Sequence, residues 1–599
     1  MPRQVIHALL LLAAPHVLAA AFGIALYQDR GIPVEVSVNV SRGSGYVNIE
    51  GLYYYDDSLW YSTVFACWEA AISAGADPFS YNYTVYIAPI NASRSLAGPS
   101  LSLAVYIATY STITGSPVNS SVVYTGTVAP GGVVDFVGGV EQKAEGAARY
   151  GFKLFVYPAL QHLEFKMVEK PRLIGVYGSL VPVLEITPIQ IRNITAIEVG
   201  NVYQAAAATT GRYNATANIE RLREVLTRTN ATAPQYKIDA LINEVNRAVK
   251  KAKRLAAQQP RYHDALAAGI GKALAYVEIS RNITAASTEA LPRALAEVLT
   301  PYFYVLFVTD FERGRAVAEI YLATLRNITE ALRPAVGADN ICDAAVAHAY
   351  IHTAEMAKST AERSLTSYML TGDVTYAAEA SYWYSQAAYY LWKAILLSRE
   401  PTTGLDLNKT LAKIGRYVQT AVEYGDVYSR ATGVTSPQLL EGGAKLNLLR
   451  ALAAQQEGRG EAALGYYIEA LASLLAYFAI HPGFPNTTGV KYMHYLDAVA
   501  HVAAPVKSIY AAEAAALAEA AGLNDTKILY MAKIHACIIA EKLAVAGDGA
   551  PHRMLRYVNY QAPAPPPQPP GEMPVEITAL GLLLLVFIVK VLHHLSRRR

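Results

Sequence analysis

A serine beside a glycine-proline corner, Gly98-Pro99-Ser100, is followed 43 residues later by Lys143 in the run Gly138-Gly139-Val140-Glu141-Gln142-Lys143. A serine hydroxyl is a weak nucleophile at neutral pH, so a neighbouring base must take its proton before it attacks. Lysine can be that base only as the free amine, which requires burial that lowers its pKa. In such a pair Ser100 attacks a peptide carbonyl, Lys143 accepts the proton and returns one to the leaving amine, and water hydrolyses the acyl-enzyme. Backbone N–H groups of the turn from Gly98 to Leu101 are placed to stabilise the oxyanion, because helix starts present unpaired donors. Taken singly, each residue has an ordinary reading, Ser100 as a helix N-cap and Lys143 as a solvated first-turn side chain.

The elements that must position the pair are legible around it. Val34-Glu35-Val36-Ser37-Val38 alternates as one arm of a hairpin, Ser62 to Gly75 reads as a helix ending before Ala76-Asp77-Pro78, and Tyr83 to Ile90 reads as a strand. Ser95 to Val105 carries the serine turn into a helix, Thr125-Gly126-Thr127-Val128-Ala129-Pro130-Gly131-Gly132 reads as a strand and tight turn, and Phe152 to Pro158 as a further strand. In order and spacing, from about Gly23 to about Gln161, these segments resemble the proteolytic domain of the Lon-type serine proteases. The resemblance implies an α+β proteolytic fold, with the nucleophile at Ser100 and the catalytic lysine at Lys143. It also puts Thr125 at the family's threonine beside that lysine, and implies polypeptide substrates and a hexameric homo-oligomer. The family's Gly-Pro-Ser-Ala-Gly turn is altered, since Leu101-Ser102 stands where Ala-Gly is usual. Different close packing at that corner and a narrower groove are expected from that change.

Lon proteases usually carry an ATPase motor, which requires Gly-x-x-x-x-Gly-Lys-Ser/Thr to cradle phosphates. The nearest fragment, Gly269-Ile270-Gly271-Lys272-Ala273, lacks the loop length and the hydroxyl, and its alanine-rich surroundings read as helix. ATP-independent action on unfolded or flexible substrates, with no cofactor and no metal, is the expectation. The two ends fit an outward-facing protein. Residues 1–21 have the layout of a secretory signal peptide, with an uncleaved anchor as the alternative because Ala20 to Leu26 stays apolar. A proline-rich linker (549–573) leads to an apolar stretch, 574–595, long enough to span a bilayer, and the basic tail (596–599) places that end in the cytoplasm. Of 20 asparagines, 12 open an Asn-x-Ser/Thr triplet: Asn39, Asn82, Asn91, Asn119, Asn193, Asn214, Asn230, Asn282, Asn327, Asn408, Asn486 and Asn524. That excess reads as a glycosylated exterior, and with the motor-free layout it suggests an archaeal chain.

At 599 residues the chain needs more than one core, and a net charge of +3 without a basic stripe argues against nucleic-acid binding. After the proteolytic domain (22–165) and a connecting segment (166–193), residues 194–548 turn to Ala, Leu, Glu, Arg and Tyr at helical spacing, broken at Gly372-Asp373, Glu400-Pro401 and Gly458-Arg459-Gly460. The helices expected there are Ile219 to Thr227, Lys237 to Gln258, Tyr262 to Arg281, Phe311 to Leu332, Cys342 to Leu370, Tyr376 to Leu397, Leu407 to Thr432, Pro437 to Glu457, Gly460 to Phe478, His494 to Ala521 and Lys527 to Ala546. The expected fold is thus an α+β Lon-like domain, then an all-α array or bundle, then one C-terminal transmembrane helix. Many of the 42 tyrosines, Tyr382, Tyr384, Tyr389 and Tyr390 among them, fall in these helices, where packing is the first reading and a peptide surface the second. Cys67, Cys342 and Cys537 are odd in number and far apart, and read as small buried hydrophobes rather than a disulfide framework. His348, His352 and Glu355 share a helical face but lack the His-Glu-x-x-His order of a zinc peptidase, so a structural face is expected. Two functions remain: an anchored Ser-Lys endopeptidase, and an inactive Lon-like envelope scaffold with a helical interaction domain. The intact Ser100, Thr125 and Lys143 favour the first.

Overall fold

Alternation puts Val34, Val36 and Val38 on one face of a strand, and all three are fully buried there. In the computed structural model this strand is β2 (Arg30–Arg42), paired antiparallel with β1 (Ala20–Tyr27) through the two-residue turn Gln28-Asp29. Both turn residues have positive φ, 47° and 59°, the geometry that suits the twist of a tight hairpin. The structure describes residues 20–545 except 91–93, 162, 175–176, 211–232, 283–286, 402–403, 481–487, 503–507 and 521–524. With β3 (Val47–Glu50), β5 (Tyr81–Pro89), β7 (Val122–Tyr124), β10 (Leu154–Pro158) and β13 (Thr195–Val199), the hairpin builds a seven-stranded mixed sheet in the order β13-β10-β7-β1-β2-β5-β3. Two short pairs accompany it, β4 (Tyr54–Tyr55) with β6 (Ser95–Leu96), and β8 (Thr127–Val128) with β9 (Val134–Asp135).

The sheet carries helices on both faces, and β1 shows why. Its Ala21 and Ala25 join the large core with α1 (Asp57–Ser73) and α2 (Ser102–Thr114), whereas Ile24 joins a small separate core with Val140, Ala144 and Ala147 of α3 (Val140–Arg149). Within the described residues Ala20 to Leu26 is thus a central strand, which accounts for its apolarity. The sheet begins at Ala20, inside the leader as drawn at 1–21. It also takes in β13, so the sheet-bearing unit extends beyond residue 165 to α4 (Val202–Thr210). The presumed connecting segment 166–193 is largely a hairpin, β11 (Leu163–Ile174) with β12 (Tyr177–Pro188).

The helical region contains α5 (Gln235–Gln258), α6 (His263–Asn282), α7 (Ser287–Thr309), α8 (Phe311–Ala331), α9 (Ile341–Thr371), α10 (Val374–Leu397), α11 (Leu407–Thr432), α12 (Leu446–Gln456), α13 (Gly460–Ile480), α14 (Thr488–Val502), α15 (Ile509–Ala520) and α16 (Asp525–Val545). The expected breakers hold at Gly372, whose φ of 69° ends α9, and at Gly458-Arg459, between α12 and α13. Helix α7 is absent from the sequence reading because Pro292 and Pro301 lie inside it. Pro301 deprives the Glu297 carbonyl of its intrahelical donor, and Gly269 of α6 packs there, so closely that a Cβ on it would lie 2.6 Å from that oxygen. The stretch His494 to Ala521, expected as one helix, is two, α14 and α15, with Pro505 between them in sequence. The expected helix from Pro437 to Glu457 begins as a π-helix, Pro437–Lys445.

Two described helices, α7 and α13, are long and apolar enough to cross a membrane by length and composition. The α13 window is 94% buried inside the protein, where it packs against α9, α11, α12 and α16 as the axis of the region. The candidate span 574–595, most of the leader, and the helix expected at Ile219 to Thr227 lie outside the described residues.

One cysteine reading is overturned. Cys342 in α9 and Cys537 in α16 form a disulfide with Cα atoms 5.7 Å apart, across 195 residues of sequence. Only the bundle's packing brings them together, which is why spacing gave no hint. Cys67 is free and buried, as expected. Closing so long a loop restricts the unfolded chain, so Cys342→Ser is expected to cost about 2–5 kcal/mol of stability. Chemical denaturation of the oxidised wild type against the variant measures this; coincident midpoints would mean the bond contributes nothing.

Candidate active site

The serine turn is held at several backbone points. Gly98 has φ 89° and ψ 151°, a region essentially reserved for glycine, and Pro99 then opens the short 3₁₀ turn Pro99–Leu101 that leads into α2. The Gly98 N–H donates to Asp56 Oδ1 at 3.0 Å, and the same carboxylate caps α1 by accepting from the Leu59 N–H. The Ser100 carbonyl accepts from the Gly126 N–H at 2.9 Å and from the Thr125 hydroxyl at 3.3 Å. Serine and its turn are thereby tied both to α1 and to the strand end that follows β7.

The altered corner has compensations in the structure. Leu101 is buried and lies over Gly23 of β1, where a Cβ would come within 2.6 Å of Leu101 Cδ2. A leucine fits because β1 has no side chain at that point. Ser102 is fully buried; its hydroxyl donates toward the Pro99 and Gly126 carbonyls at 2.8 and 3.1 Å and accepts from the Val128 N–H at 2.7 Å. These bonds splice the serine turn to β8 in place of close glycine packing.

Lys143 approaches from the opposite face of the sheet. Gly139, at φ 64°, starts α3. The helix then sits directly on the β1–β2 turn because Gly31 and Gly146 are both bare. A Cβ on Gly31 would be 2.8 Å from Lys143 Cα, and one on Gly146 would be 2.2 Å from the Gly31 carbonyl oxygen. Lys143 is 2% exposed and its amine donates to Thr125 Oγ1 at 3.2 Å. Burial lowers its pKa from 10.5 to about 7, so the free amine is well populated at neutral pH. Thr125, fully buried, thus touches both halves: its hydroxyl donates to the Ser100 carbonyl and accepts from the lysine.

Ser100 and Lys143 line one cleft of about 560 Å³. Its walls come from Leu26, from Ser95 to Leu101, from Phe136-Val137-Gly138, and from Tyr424, Tyr428, Ala431 and Thr432 of α11. Of the expected oxyanion donors, Gly98 is corrected, since its N–H is committed to Asp56, and Pro99 has none. The Ser102 N–H bonds the Pro99 carbonyl, which leaves the N–H groups of Ser100 and Leu101 as the donors this turn offers. Asp56, Gly31, Gly146 and the α11 residues escaped the sequence reading, and Ser102 entered it only as a departure from the usual turn. Isolated residues of these types carry no motif, and each acts here only through a neighbour distant in the chain.

The other singled-out residues lie away from this cleft. His348 Nε2 contacts the Pro334 carbonyl at 2.9 Å, His352 contacts Tyr466 and Glu457, and Glu355 pairs with Arg459. No cluster of three metal-type ligands occurs among the described residues. Gly269 to Ala273 lies within α6, as expected, with Lys272 exposed and paired to Glu297 at 3.4 Å. Tyr384 is fully buried and Tyr389 donates to Glu289, whereas Tyr382 is exposed. Among the triplet asparagines, Asn39, Asn119, Asn193, Asn327 and Asn408 are exposed. Asn82 instead accepts from the N–H groups of Ser44 and Tyr46, with its amide packed against Gly43. The side chains of Asn91, Asn214, Asn230, Asn282, Asn486 and Asn524 lie outside the description.

Residues 65–174 match the family model of the Lon protease (S16) C-terminal proteolytic domain, a span that contains Ser100, Thr125 and Lys143. No curated protein matches the chain.

Proposed function

We propose, on the premise that this chain carries a Lon-type serine-protease proteolytic domain, that it is an ATP-independent endopeptidase using Ser100 as nucleophile and Lys143 as general base. The observation that carries the reading is the buried Lys143 amine, bound to Thr125 and sharing a cleft with Ser100. Because the Thr125 proton goes to the Ser100 carbonyl, its oxygen accepts an N–H from the lysine, and the amine lone pair stays available for the serine hydroxyl. The base takes that proton as the acyl-enzyme forms and passes it to the leaving amine. The N–H groups of Ser100 and Leu101 face the task of holding the oxyanion.

The finer features belong to the same proposal. The Cys342–Cys537 disulfide fits an oxidising compartment, which favours an outward-facing ectodomain anchored through 574–595 and held at the membrane as a single-pass protein. Asn39, Asn119, Asn193, Asn327 and Asn408 are the exposed glycan acceptors. Without a phosphate-cradling loop in the sequence, the substrates are unfolded or flexible polypeptides, and a homo-oligomer follows the family's hexameric habit. The test is to incubate the protein with unfolded casein in the absence of nucleotide, with and without a fluorophosphonate. Casein fragments that disappear when the probe modifies Ser100 support the assignment. Intact casein, or cleavage that persists after Ser100 is modified, overturns it in favour of an envelope scaffold.

A further inference from the structure

One wall of the cleft does not belong to the proteolytic fold. Tyr424, Tyr428, Ala431 and Thr432, more than 300 residues after Ser100, project from the last turns of α11 into the same 560 Å³ space. Their position is fixed from two sides. The ring of Tyr424 stacks on Phe65 of α1 at 5.7 Å, and its hydroxyl reaches the Val128 carbonyl at 3.4 Å. The Tyr428 hydroxyl donates to Asp135 Oδ2 at 2.6 Å. Val128 and Asp135 sit on β8 and β9, whose continuation, Phe136-Val137-Gly138, is a facing part of the cleft lining. Below this, Glu69 of α1 accepts from the Tyr417 hydroxyl, and Lys413 pairs with buried Asp77 at 2.5 Å. Helix α11 is therefore clamped to the catalytic fold along its length rather than merely adjacent to it.

The chemistry of the lining is one-sided. Among the described residues that line the cleft, Lys143 is the only Lys or Arg and none carries a carboxylate. A basic substrate side chain entering this space would meet no carboxylate, and an acidic one only the Lys143 amine, which burial holds as the free base above about pH 7, whereas an apolar side chain gains by burial. Ala431 and Thr432 are exposed at the rim, so bulk added there intrudes on the cleft without disturbing a core.

We infer that the C-terminal turns of α11 are a substrate-selecting wall supplied by the helical region of the same chain, admitting uncharged side chains of limited bulk beside Ser100. The inference rests on the proposed peptidase reading, and the two are separable by experiment. Binding is measured in the full chain carrying Ser100→Ala, with fluorescein-labelled Gly/Ser decapeptides that hold one central Ala, Leu, Trp or Asp. The Leu peptide is expected to bind at least about tenfold more tightly than the Asp peptide, a difference of about 1.4 kcal/mol. Adding Ala431→Trp should weaken Leu and Trp peptides about tenfold or more, with the Ala peptide nearly unchanged. Arg430→Trp, on the exposed neighbour that does not line the cleft, should leave the profile alone, and matched circular dichroism and melting confirm folding. An Ala431→Trp profile equal to its parent's, or no peptide binding at millimolar concentration, overturns the wall. In parallel, fluorophosphonate labelling of the chain with Ser100 intact tests the dyad. Labelling with an unshifted profile sinks the wall alone; a shifted profile without labelling sinks the dyad and leaves the wall.

Discussion

Ser100→Ala is expected to lower peptide hydrolysis by at least about 10⁴-fold, because removing the nucleophile of a unit that acts together leaves only binding and oxyanion stabilisation. The fold should be unaffected. Ser100 is only half-buried, and the bonds that hold the turn run through its carbonyl, through Gly98 and through Ser102, none of which needs the Ser100 hydroxyl. Thermal melting of the variant should therefore coincide with wild type while casein cleavage and fluorophosphonate labelling vanish. Residual cleavage near the wild-type rate would place the nucleophile elsewhere. A loss of folding would mean the turn depends on the hydroxyl after all.

Lys143→Arg is expected to lower kcat/KM by about 10²–10⁴-fold, since a guanidinium cannot give up its proton to become the base. Adding it to Ser100→Ala should cost almost nothing more, as the two groups act in one step. In the wild type the rate should rise with pH through an inflection near 7, because the amine must be uncharged to act and burial holds its pKa at about 7. Stability carries the same signature. Between pH 7 and 10.5 the unfolded lysine binds a proton that the folded one does not, so stability contributed by this site rises with pH across that window. Lys143→Met should consequently abolish activity yet raise the melting temperature at pH 7 and below, with the gain shrinking toward pH 10.5. At 1.36 kcal/mol per pKa unit the displacement corresponds to a penalty on the order of 5 kcal/mol at the acid end, an upper figure for a site that can relax. A flat pH–rate profile, or a methionine variant that melts below wild type at every pH, would contradict the buried free amine.

The sequence by itself determined the local grammar of the site. Gly-Pro before Ser100, the Thr125-Gly126 strand end, the paired glycines before α3, and the valine alternation of β2 are short-range signals, because turn, strand and helix starts depend on φ preference and side-chain period. Most helix positions between 235 and 545 were legible for the same reason. The failures fell where local signals conflict with packing, as at Pro292 and Pro301 inside α7, or where no local signal exists, as with the Cys342–Cys537 bond. Tertiary structure alone decided that β1 is a central strand, that Gly31 and Gly146 let α3 carry Lys143 down onto the β1–β2 turn, and that Gly23 makes room for Leu101. It also decided that α11 closes the cleft. The physical reason is common to all of these. Burial and close approach are relations between distant segments, and they lower the Lys143 pKa or shape the cleft only once the chain has folded.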